Sequence, residues 1–449
     1  MRRGRIGVGY AASGAMLGLT LLLLAAPPPA TGQLFIDPTF TEARKALIGG
    51  LANNVGTLPS PSGGSLTFQL DPTLGVFTRD SDTLGPIFTD RYQTTGRNRL
   101  TVTASYTRHT FDEVDGLDVR KDGIDVLIVG VGRLNQVNVR EEADADVWSL
   151  GAIYGITDNL DIGLTIPIVR VKLKESATRT AFIDCVNPVL RLGCDPNSVQ
   201  IRNDPLLTSQ SESTGIGDIA LRGKYNFWSG AVGGGRLGSA ALLEVKMPTG
   251  DTGDRRALRN PGIRVGPSGT PADTRFTLGD PPLGTGIFRV KPELIVSGEW
   301  NPGGVIAIGP HVNVGAELGT TEGITNDLVY AVGVDLAPQL AFLRVIQLTL
   351  VADLLGRHAF NVDRKRLDVL SSTTIPRGQT FEQFLASVPN ADADTLTGSF
   401  GLKATPLGWI EGSPLASLVL FVNFLIPFND TGYRDNLTPT VGIEWNYRF

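Results

Sequence analysis

Apolar and polar residues alternate strictly in short segments from about residue 98 to the end of the chain. The last segment shows this most clearly, with one apolar and one polar face: Val441, Ile443, Trp445 and Tyr447 against Thr440, Glu444, Asn446 and Arg448. Successive side chains of a β-strand point to opposite faces of a sheet, so this pattern predicts strands that are apolar on one side and hydrated on the other.

Twelve segments of this kind predict an all-β protein. They lie near 98–110, 146–156, 160–172, 216–228, 239–248, 286–300, 304–319, 327–337, 345–357, 394–405, 416–428 and 437–449. The apolar faces in the cores of these segments carry no Asp, Glu, Lys or Arg. A lipid-facing strand loses about 2–4 kcal/mol for an Arg or Lys at mid-bilayer, whereas a polar lumen accepts charge. We therefore expect a transmembrane antiparallel β-barrel of about 12 strands rather than a soluble sandwich.

The connections between these segments alternate in length. Connections such as 157–159 and 301–303 are short, whereas those at 111–145, 173–215, 249–285 and 358–393 are long. Short periplasmic turns and long external loops are the rule in outer-membrane barrels, which also have an even strand number. The predicted location is thus the outer membrane, and the membrane lipid is a predicted partner.

The N-terminal region has a different pattern. Residues 1–32 combine Arg2, Arg3 and Arg5 with an apolar run and a small-residue cleavage site, which predicts a signal peptide cut near Gly32 and Gln33. Residues 33–97 predict a partly helical segment, since Asp37-Pro38 can begin a helix that Gly49-Gly50 ends. This segment precedes the barrel at 98–449, and we expect it either to plug the lumen or to lie as a periplasmic arm, with at least partial insertion favoured.

Two further features fit an exported barrel. Trp445, Tyr447 and Phe449 resemble the C-terminal insertion signal of outer-membrane barrels, which the barrel-insertion machinery recognises by β-augmentation. Cys185 and Cys194 are the chain's two cysteines and lie in one irregular stretch. In an oxidising compartment they predict a local disulfide.

Composition and motifs exclude several functions. The net charge of −5 argues against a nucleic-acid partner. His109, His311 and His358 lie in separate segments, and the G-x-S-x-G motif of many hydrolases is absent. We predict no catalytic residues, no metal site and no cofactor, although a Ser close to His311 would make an enzyme plausible.

The polar faces supply the candidate functional residues, which we expect to line the lumen: Arg222, Lys224, Glu244, Lys246, Arg289, Lys291, Glu293, Glu299, His311, Asp353, Glu444 and Arg448. Their charges are nearly balanced, whereas strongly ion-selective pores carry rings of one sign. Two interpretations stay open: a pore lining, or a salt-bridged filling that stiffens a narrow barrel.

Four stretches resemble the MetA-pathway phenol-degradation family of outer-membrane transporters. They begin at Tyr154 (YGITDNLDIG), Gly217 (GDIALRGKY), Met247 (MPTGD) and Leu283 (LGTG). The resemblance implies an outer-membrane barrel that admits hydrophobic or aromatic compounds.

The predicted function is passive passage of small, hydrophobic or aromatic solutes across the outer membrane. The alternative is a structural or adhesive barrel that acts through its long external loops.

Overall fold

The computed structural model describes residues 59–71, 76–79, 81–114, 117–130, 133–183, 200–252, 280–320, 326–339, 346–360, 394–405, 418–430 and 433–448. Several predicted features lie outside these residues: the predicted signal peptide, the predicted helix near residue 38, Cys185, Cys194 and Phe449.

The described residues are organised mainly as β-strands. The first nine are β1 (Phe68–Asp71), β2 (Val76–Arg79), β3 (Arg99–Phe111), β4 (Glu113–Val114), β5 (Leu117–Asp118), β6 (Ile124–Gly130), β7 (Arg133–Gly155), β8 (Leu160–Ile183) and β9 (Gln200–Ile216). The others are β10 (Ile219–Val232), β11 (Gly235–Met247), β12 (Arg289–Glu299), β13 (Ile306–Gly319), β14 (Asn326–Pro338), β15 (Gln347–Phe360), β16 (Thr395–Thr405), β17 (Leu418–Pro427), β18 (Tyr433–Arg434) and β19 (Thr438–Arg448). A short 3₁₀ turn covers Pro302–Gly304.

Twelve of these strands form one closed antiparallel barrel. Their order around the wall is β3, β7, β8, β10, β11, β12, β13, β14, β15, β16, β17, β19, and β19 pairs back onto β3. The predicted barrel and its twelve strands are thus confirmed. Closure leaves no unpaired strand edge within the wall, which is the condition for a sheet to exist in hydrocarbon.

The two faces of the wall differ as the alternation predicts. Large apolar side chains are exposed on the outside of the barrel, among them Leu221, Leu243, Leu294, Val314, Leu350, Leu420 and Ile443. The inward faces hold buried polar and charged residues, such as Lys224, Asp335, Lys403 and Glu444. An apolar outer belt around a polar interior is the arrangement of a transmembrane barrel.

Connection lengths assign the two ends. Gly155 joins Leu160, and Val232 joins Gly235, by tight turns at the end that also holds the C-terminus. Long connections such as that from Met247 to Arg289 lie at the other end. Short turns face the periplasm in outer-membrane barrels, so we take the long connections as external.

No helix among the described residues is long and apolar enough to cross a membrane.

The predicted segments 146–156 and 160–172 are too short. Both continue outward as the longest strands, β7 and β8, and β6 and β9 extend this part of the wall. The reason is an inversion of polarity along the strands. Above Trp148 the inward face of β7 is apolar (Ala143, Ala145, Val147), and the outward face is charged (Glu142, Asp144, Asp146). Outside the bilayer the outward face of the sheet contacts water, so apolar side chains face inward and charged ones face outward, as in a soluble protein.

Candidate functional site

A stretch of chain that precedes the first barrel strand lies inside the barrel. We call residues 59–67 and 81–98 the luminal segment. Its two arms are joined by a hydrogen bond from the Ser62 amide to the Ile87 carbonyl, 2.7 Å. Arg91 fastens them further, because its guanidinium donates to the carbonyls of Gly64 and Ser65 and to the Ser81 hydroxyl. The segment therefore has a fixed internal shape.

Polar side chains of the wall hold the luminal segment. Hydrogen bonds reach it from β8, β10, β12, β14, β15, β16 and β19, through Asp161, Lys224, Ser297, Asp335, Thr349, Lys403 and Glu444. Many of these bonds involve backbone groups of the segment. Buried backbone N–H and C=O groups require partners, so the inward polar residues satisfy an irregular chain that forms no strand with the wall.

Apolar contacts complete the attachment. Leu66 and Leu84 pack on Val419, and Ile87 packs on Val351 and Phe421. Tyr92 packs on Ala240, Leu242 and Ile295. The Tyr92 ring lies directly over Gly238, where it leaves no room for a Cβ atom. A glycine on β11 thus lets the ring approach the wall.

Asp90 forms the main ion pair between the luminal segment and the wall. Its carboxylate lies 2.5 Å from the Arg222 guanidinium and 3.6 Å from Lys224 Nζ. Burial alone raises the pKa of Asp90, but the positive charges of Arg222 and Lys224 outweigh burial and hold the pKa below its usual value. Asp90 is therefore a carboxylate at neutral pH.

Lys403 and Glu444 hold the segment from the opposite wall. Lys403 Nζ donates to Ser65 Oγ and to the carbonyls of Leu84 and Pro86. Glu444 accepts the Ser65 amide at 2.5 Å and the Ser65 hydroxyl at 2.8 Å. Ser65 of the luminal segment thus bonds to one cation and one carboxylate of the barrel wall.

His311 lies in a buried cluster of carboxylates below the segment. Its Nε2 is 2.8 Å from Asp353, and its Nδ1 is 3.3 Å from Asp335 and 3.2 Å from the Gly309 carbonyl. Asp335 also accepts a hydrogen bond from Thr83 of the luminal segment, 2.9 Å. The partners of His311 are thus two carboxylates and a backbone carbonyl.

A cavity of about 330 Å³ occupies the external half of the lumen. The luminal segment forms its floor through Pro59, Ser60, Phe88, Thr89 and Asp90. Part of its wall is apolar, with Phe111, Val329, Leu355, Leu425 and Pro427. The cavity is therefore a vestibule on the external side of the luminal segment.

The charged part of the vestibule wall is a network of ion pairs. Arg357 lies 2.7 Å from Glu317 and 2.8 Å from Asp327, and Arg289 lies 3.5 Å from Glu317. Beside it, Lys291 lies 3.2 Å from Glu293 and 3.9 Å from Glu244. Each of these three cations has a carboxylate partner within 3.9 Å, so cations and carboxylates alternate along this wall and form no ring of one charge.

The predicted lumen residues fall into separate groups. Arg222, Lys224, Glu299 and Glu444 bind the luminal segment. Glu244, Lys246, Lys291 and Glu293 line the vestibule, and Arg289 is buried beside Glu317 of its wall. His311 and Asp353 form the buried cluster, and Arg448 is exposed at the periplasmic rim. Whether these residues line a path for solute remains a prediction.

Several site residues were missed. Asp327 and Arg357 face inward by the same alternation that selected the others, but they lie next to external loops, where our segments ended. Asp90 lies in irregular chain, so no periodicity could have indicated it.

Three of the four motifs that carry the family resemblance, those that begin at Gly217, Met247 and Leu283, meet at one point of the external rim. The fourth, which begins at Tyr154, forms the periplasmic turn between β7 and β8. The Asp218 carboxylate accepts hydrogen bonds from the Gly250 amide (3.1 Å) and from the Thr285 amide (2.8 Å) and hydroxyl (2.7 Å). Gly284 lies against Asp218, where a Cβ atom would collide with the carboxylate. We call Asp218, Gly250, Gly284 and Thr285 the rim junction.

The rim junction supports a small apolar core. It fixes the chain beside Leu283, which packs with buried residues of the inward wall: Phe111, Val119, Ala143, Ala145, Val147, Val169, Val171 and Leu173. The junction thus ties the connection before β12 to the inner side of β7 and β8.

No group of three or more His, Cys, Asp or Glu residues in the described part of the chain is arranged to hold a metal ion.

Solved structures with similar folds include several outer-membrane barrels. The COG4313 outer membrane channel from Pseudomonas putida F1 matches with 11% identity and a TM-score of 0.41, over 79% of this chain and 98% of that one. The translocator domain of the autotransporter NalP from Neisseria meningitidis matches with 10% identity and a TM-score of 0.31, over 79% and 89%. A Pseudomonas aeruginosa FadL homologue matches with 10% identity and a TM-score of 0.31, over 78% and 90%. These values are too low to support an argument about function.

Among curated proteins, none matches the chain. A protein-family model described as "Putative MetA-pathway of phenol degradation" matches residues 128–288. This range contains all four stretches from which the sequence predicted the resemblance, together with the complete rim junction. The chain therefore resembles the MetA-pathway phenol-degradation family over this part of the barrel, as predicted.

Proposed function

We propose that this protein is an outer-membrane channel through which small hydrophobic or aromatic solutes pass passively, and that the luminal segment is its plug. The observation that carries the proposal is the vestibule. This cavity occupies the external half of the lumen, and the luminal segment forms its floor. A solute from outside would reach the plug first and would pass only when the plug shifts.

The vestibule suits a small amphipathic solute. Its volume of about 330 Å³ lies at the lower end of the range for small-molecule pockets, about 300–1,000 Å³. Phe88 and Phe111 offer aromatic faces, and Leu355 and Leu425 offer aliphatic ones. Aromatic pairs gain about 0.5–1.5 kcal/mol beyond the burial of their area. A single aromatic ring fits this lining better than an extended polar chain does.

Efflux from liposomes tests the proposal. Vesicles with and without the protein are loaded with benzenesulfonate or with methanesulfonate, two solutes of equal charge that cross bare lipid slowly. We expect the protein to accelerate the aromatic solute more than the aliphatic one. If neither solute nor small ions leave faster than from empty vesicles, the protein is not a channel.

A second candidate function is adhesion. β6, β7, β8 and β9 extend the wall beyond the apolar belt, which provides a surface for a partner outside the cell. Deletion of the connection 184–199, which joins β8 to β9 in this extension, separates the two functions. Loss of surface binding with unchanged efflux would favour adhesion.

A further inference from the structure

The outward surface of β3, β7, β8 and β9 changes from apolar to charged along one straight line. The strand register aligns an apolar row across these four strands: Tyr106, Trp148, Ile168 and Ile216. Two residues further out on each strand, the next row is polar: Arg108, Asp146, Arg170 and Thr214. Because all four strands change at the same level, this line marks the outer limit of the hydrocarbon.

The charged side chains above the line form linked pairs. Arg108 lies 3.5 Å from Asp144 and 3.6 Å from Asp146. Arg170 Nε lies 2.7 Å from Glu212, and Lys174 lies 3.4 Å from Glu142. With Arg140 and Lys172, the outward rows of these strands hold five cations and four carboxylates.

In most pairs of this cluster the cation is more exposed than the carboxylate. The side chains of Arg108 and Lys174 are 47% and 54% exposed, whereas those of Asp146 and Asp144 are 10% and 20% exposed. Asp144 and Asp146 thus lie beneath Arg108 and orient it, and Glu142 lies beneath Lys174. Glu212 is as exposed as its partner Arg170, at 39% against 37%. A guanidinium carries five N–H donors, so the contact of Arg170 Nε with Glu212 leaves donors that can face outward.

The cluster is confined to this side of the barrel. On the other strands, most described outward positions at the external end are apolar, for example Phe288, Leu318, Leu328 and Phe428, although His358 and Asp394 form an exposed pair there. A general need for charge at the membrane surface would place cations all around the rim. A cluster on one side indicates a specific ligand.

The level of the cluster identifies that ligand. Groups just above the hydrocarbon limit meet lipid headgroups, and Arg recognises phosphate by paired N–H donors. We propose that the outward surface from Arg108 to Lys174 on β3, β7, β8 and β9, which we call the phosphate face, binds the phosphates of an outer-leaflet glycolipid. The acyl chains of this lipid lie along Trp148, Ile168 and the apolar residues below them.

Thermal unfolding of the full-length protein in detergent tests the proposal. The additives are lipid A with both phosphates, the same lipid with its phosphates removed, and inorganic phosphate. We expect the phosphorylated lipid to raise Tm more than the dephosphorylated lipid, since a ligand that binds only the folded state stabilises it. Inorganic phosphate alone should raise Tm little, because the acyl chains are missing.

Variants locate the effect. The double variant Arg108→Gln/Arg170→Gln should lose the difference between the two lipids, and Arg97→Gln/Arg236→Gln, which changes two exposed arginines at the periplasmic end, should keep it. Lys172→Gln/Lys174→Gln gives an independent test in residues further from the bilayer, with the same expected loss. The proposal is wrong if the wild-type protein responds equally to both lipids, or if both phosphate-face variants retain the difference.

Discussion

Asp90 is the residue at which the luminal segment forms ion pairs with cations of the barrel wall. It lies within 2.5–3.6 Å of Arg222 and Lys224, which are inward residues of the same strand. Each of these cations also donates to a carbonyl of the luminal segment, that of Ser62 and that of Gln93. One acidic residue of the segment thus compensates two cations of the wall.

Replacing Asp90 tests this role. Asp90→Asn leaves Arg222 and Lys224 without that charge, and loss of one partner from a buried pair costs about 3 kcal/mol or more. We expect a less firmly bound plug and a higher single-channel conductance in planar bilayers. Asp82→Asn is the matched control, since Asp82 is exposed and bonds Asn301 at the periplasmic rim. Equal conductance in the two variants would contradict the assignment.

The same pair predicts a pH dependence. Because the pKa of Asp90 is lowered in the folded protein, its stabilising contribution is complete above the ordinary value of 3.8 and is lost as the pH falls through the lowered value. We expect constant conductance from about pH 8 to pH 5 and an increase only below 3.8. The measurement is conductance against pH, and Asp90→Asn should abolish the part of the increase that this group causes.

At the scale of elements, the rim junction shows how an irregular connection is held to a barrel wall. Asp218 supplies one acceptor group for two backbone amides and a hydroxyl. Unsatisfied buried donors cost about 1–3 kcal/mol each, so a residue without an acceptor cannot replace it.

Asp218→Ala should therefore release the connection before β12 from β7 and β8. We expect a lower Tm and faster cleavage of this connection by protease added outside intact cells. Asp280→Ala is the control, because Asp280 is an exposed acidic residue of the same connection. If both variants resist protease like the wild type, the junction does not hold this connection.

The strands within the bilayer could be predicted from the sequence, whereas their external continuations could not. For β12, the alternation of Arg289, Lys291 and Glu293 with apolar residues indicated both the strand and the inward face, because lipid imposes one rule along its length. In β7 the rule reverses above Trp148, where Ala143 and Ala145 face inward and Asp144 faces outward. A prediction that follows apolar outward positions therefore ends the strand at this reversal, although β7 continues to Arg133.

At the scale of the whole molecule, the central feature is a barrel whose lumen holds the segment that precedes its first strand. The sequence indicated that residues 33–97 differ from the barrel but did not fix their place. The contacts of Ser65, Thr83, Tyr92 and Thr95 with the wall join residues that are far apart in sequence. No local pattern in an irregular segment encodes such pairings.

Fixing the plug in place gives a test of its movement. In a background with Cys185→Ser and Cys194→Ser, the variant Ser65→Cys/Glu444→Cys loses the Glu444 contact and should release benzenesulfonate from liposomes faster than its parent. A short bifunctional thiol reagent should then lower efflux below that of the parent, because the plug can no longer leave. The parent treated with the reagent is the control. Unchanged efflux after cross-linking would show that solute does not need plug movement.

The position of the luminal segment also sets an order for assembly. The segment is continuous with β3, and its Ser65 bonds to Glu444 on β19, so it spans the seam at which the first and last strands of the barrel join. The bond between Ser65 and Glu444 can form only when β19 is in place. The interior therefore cannot reach its final form before ring closure, and the growing sheet must either curl around the waiting N-terminal chain or draw it in from the periplasm afterwards.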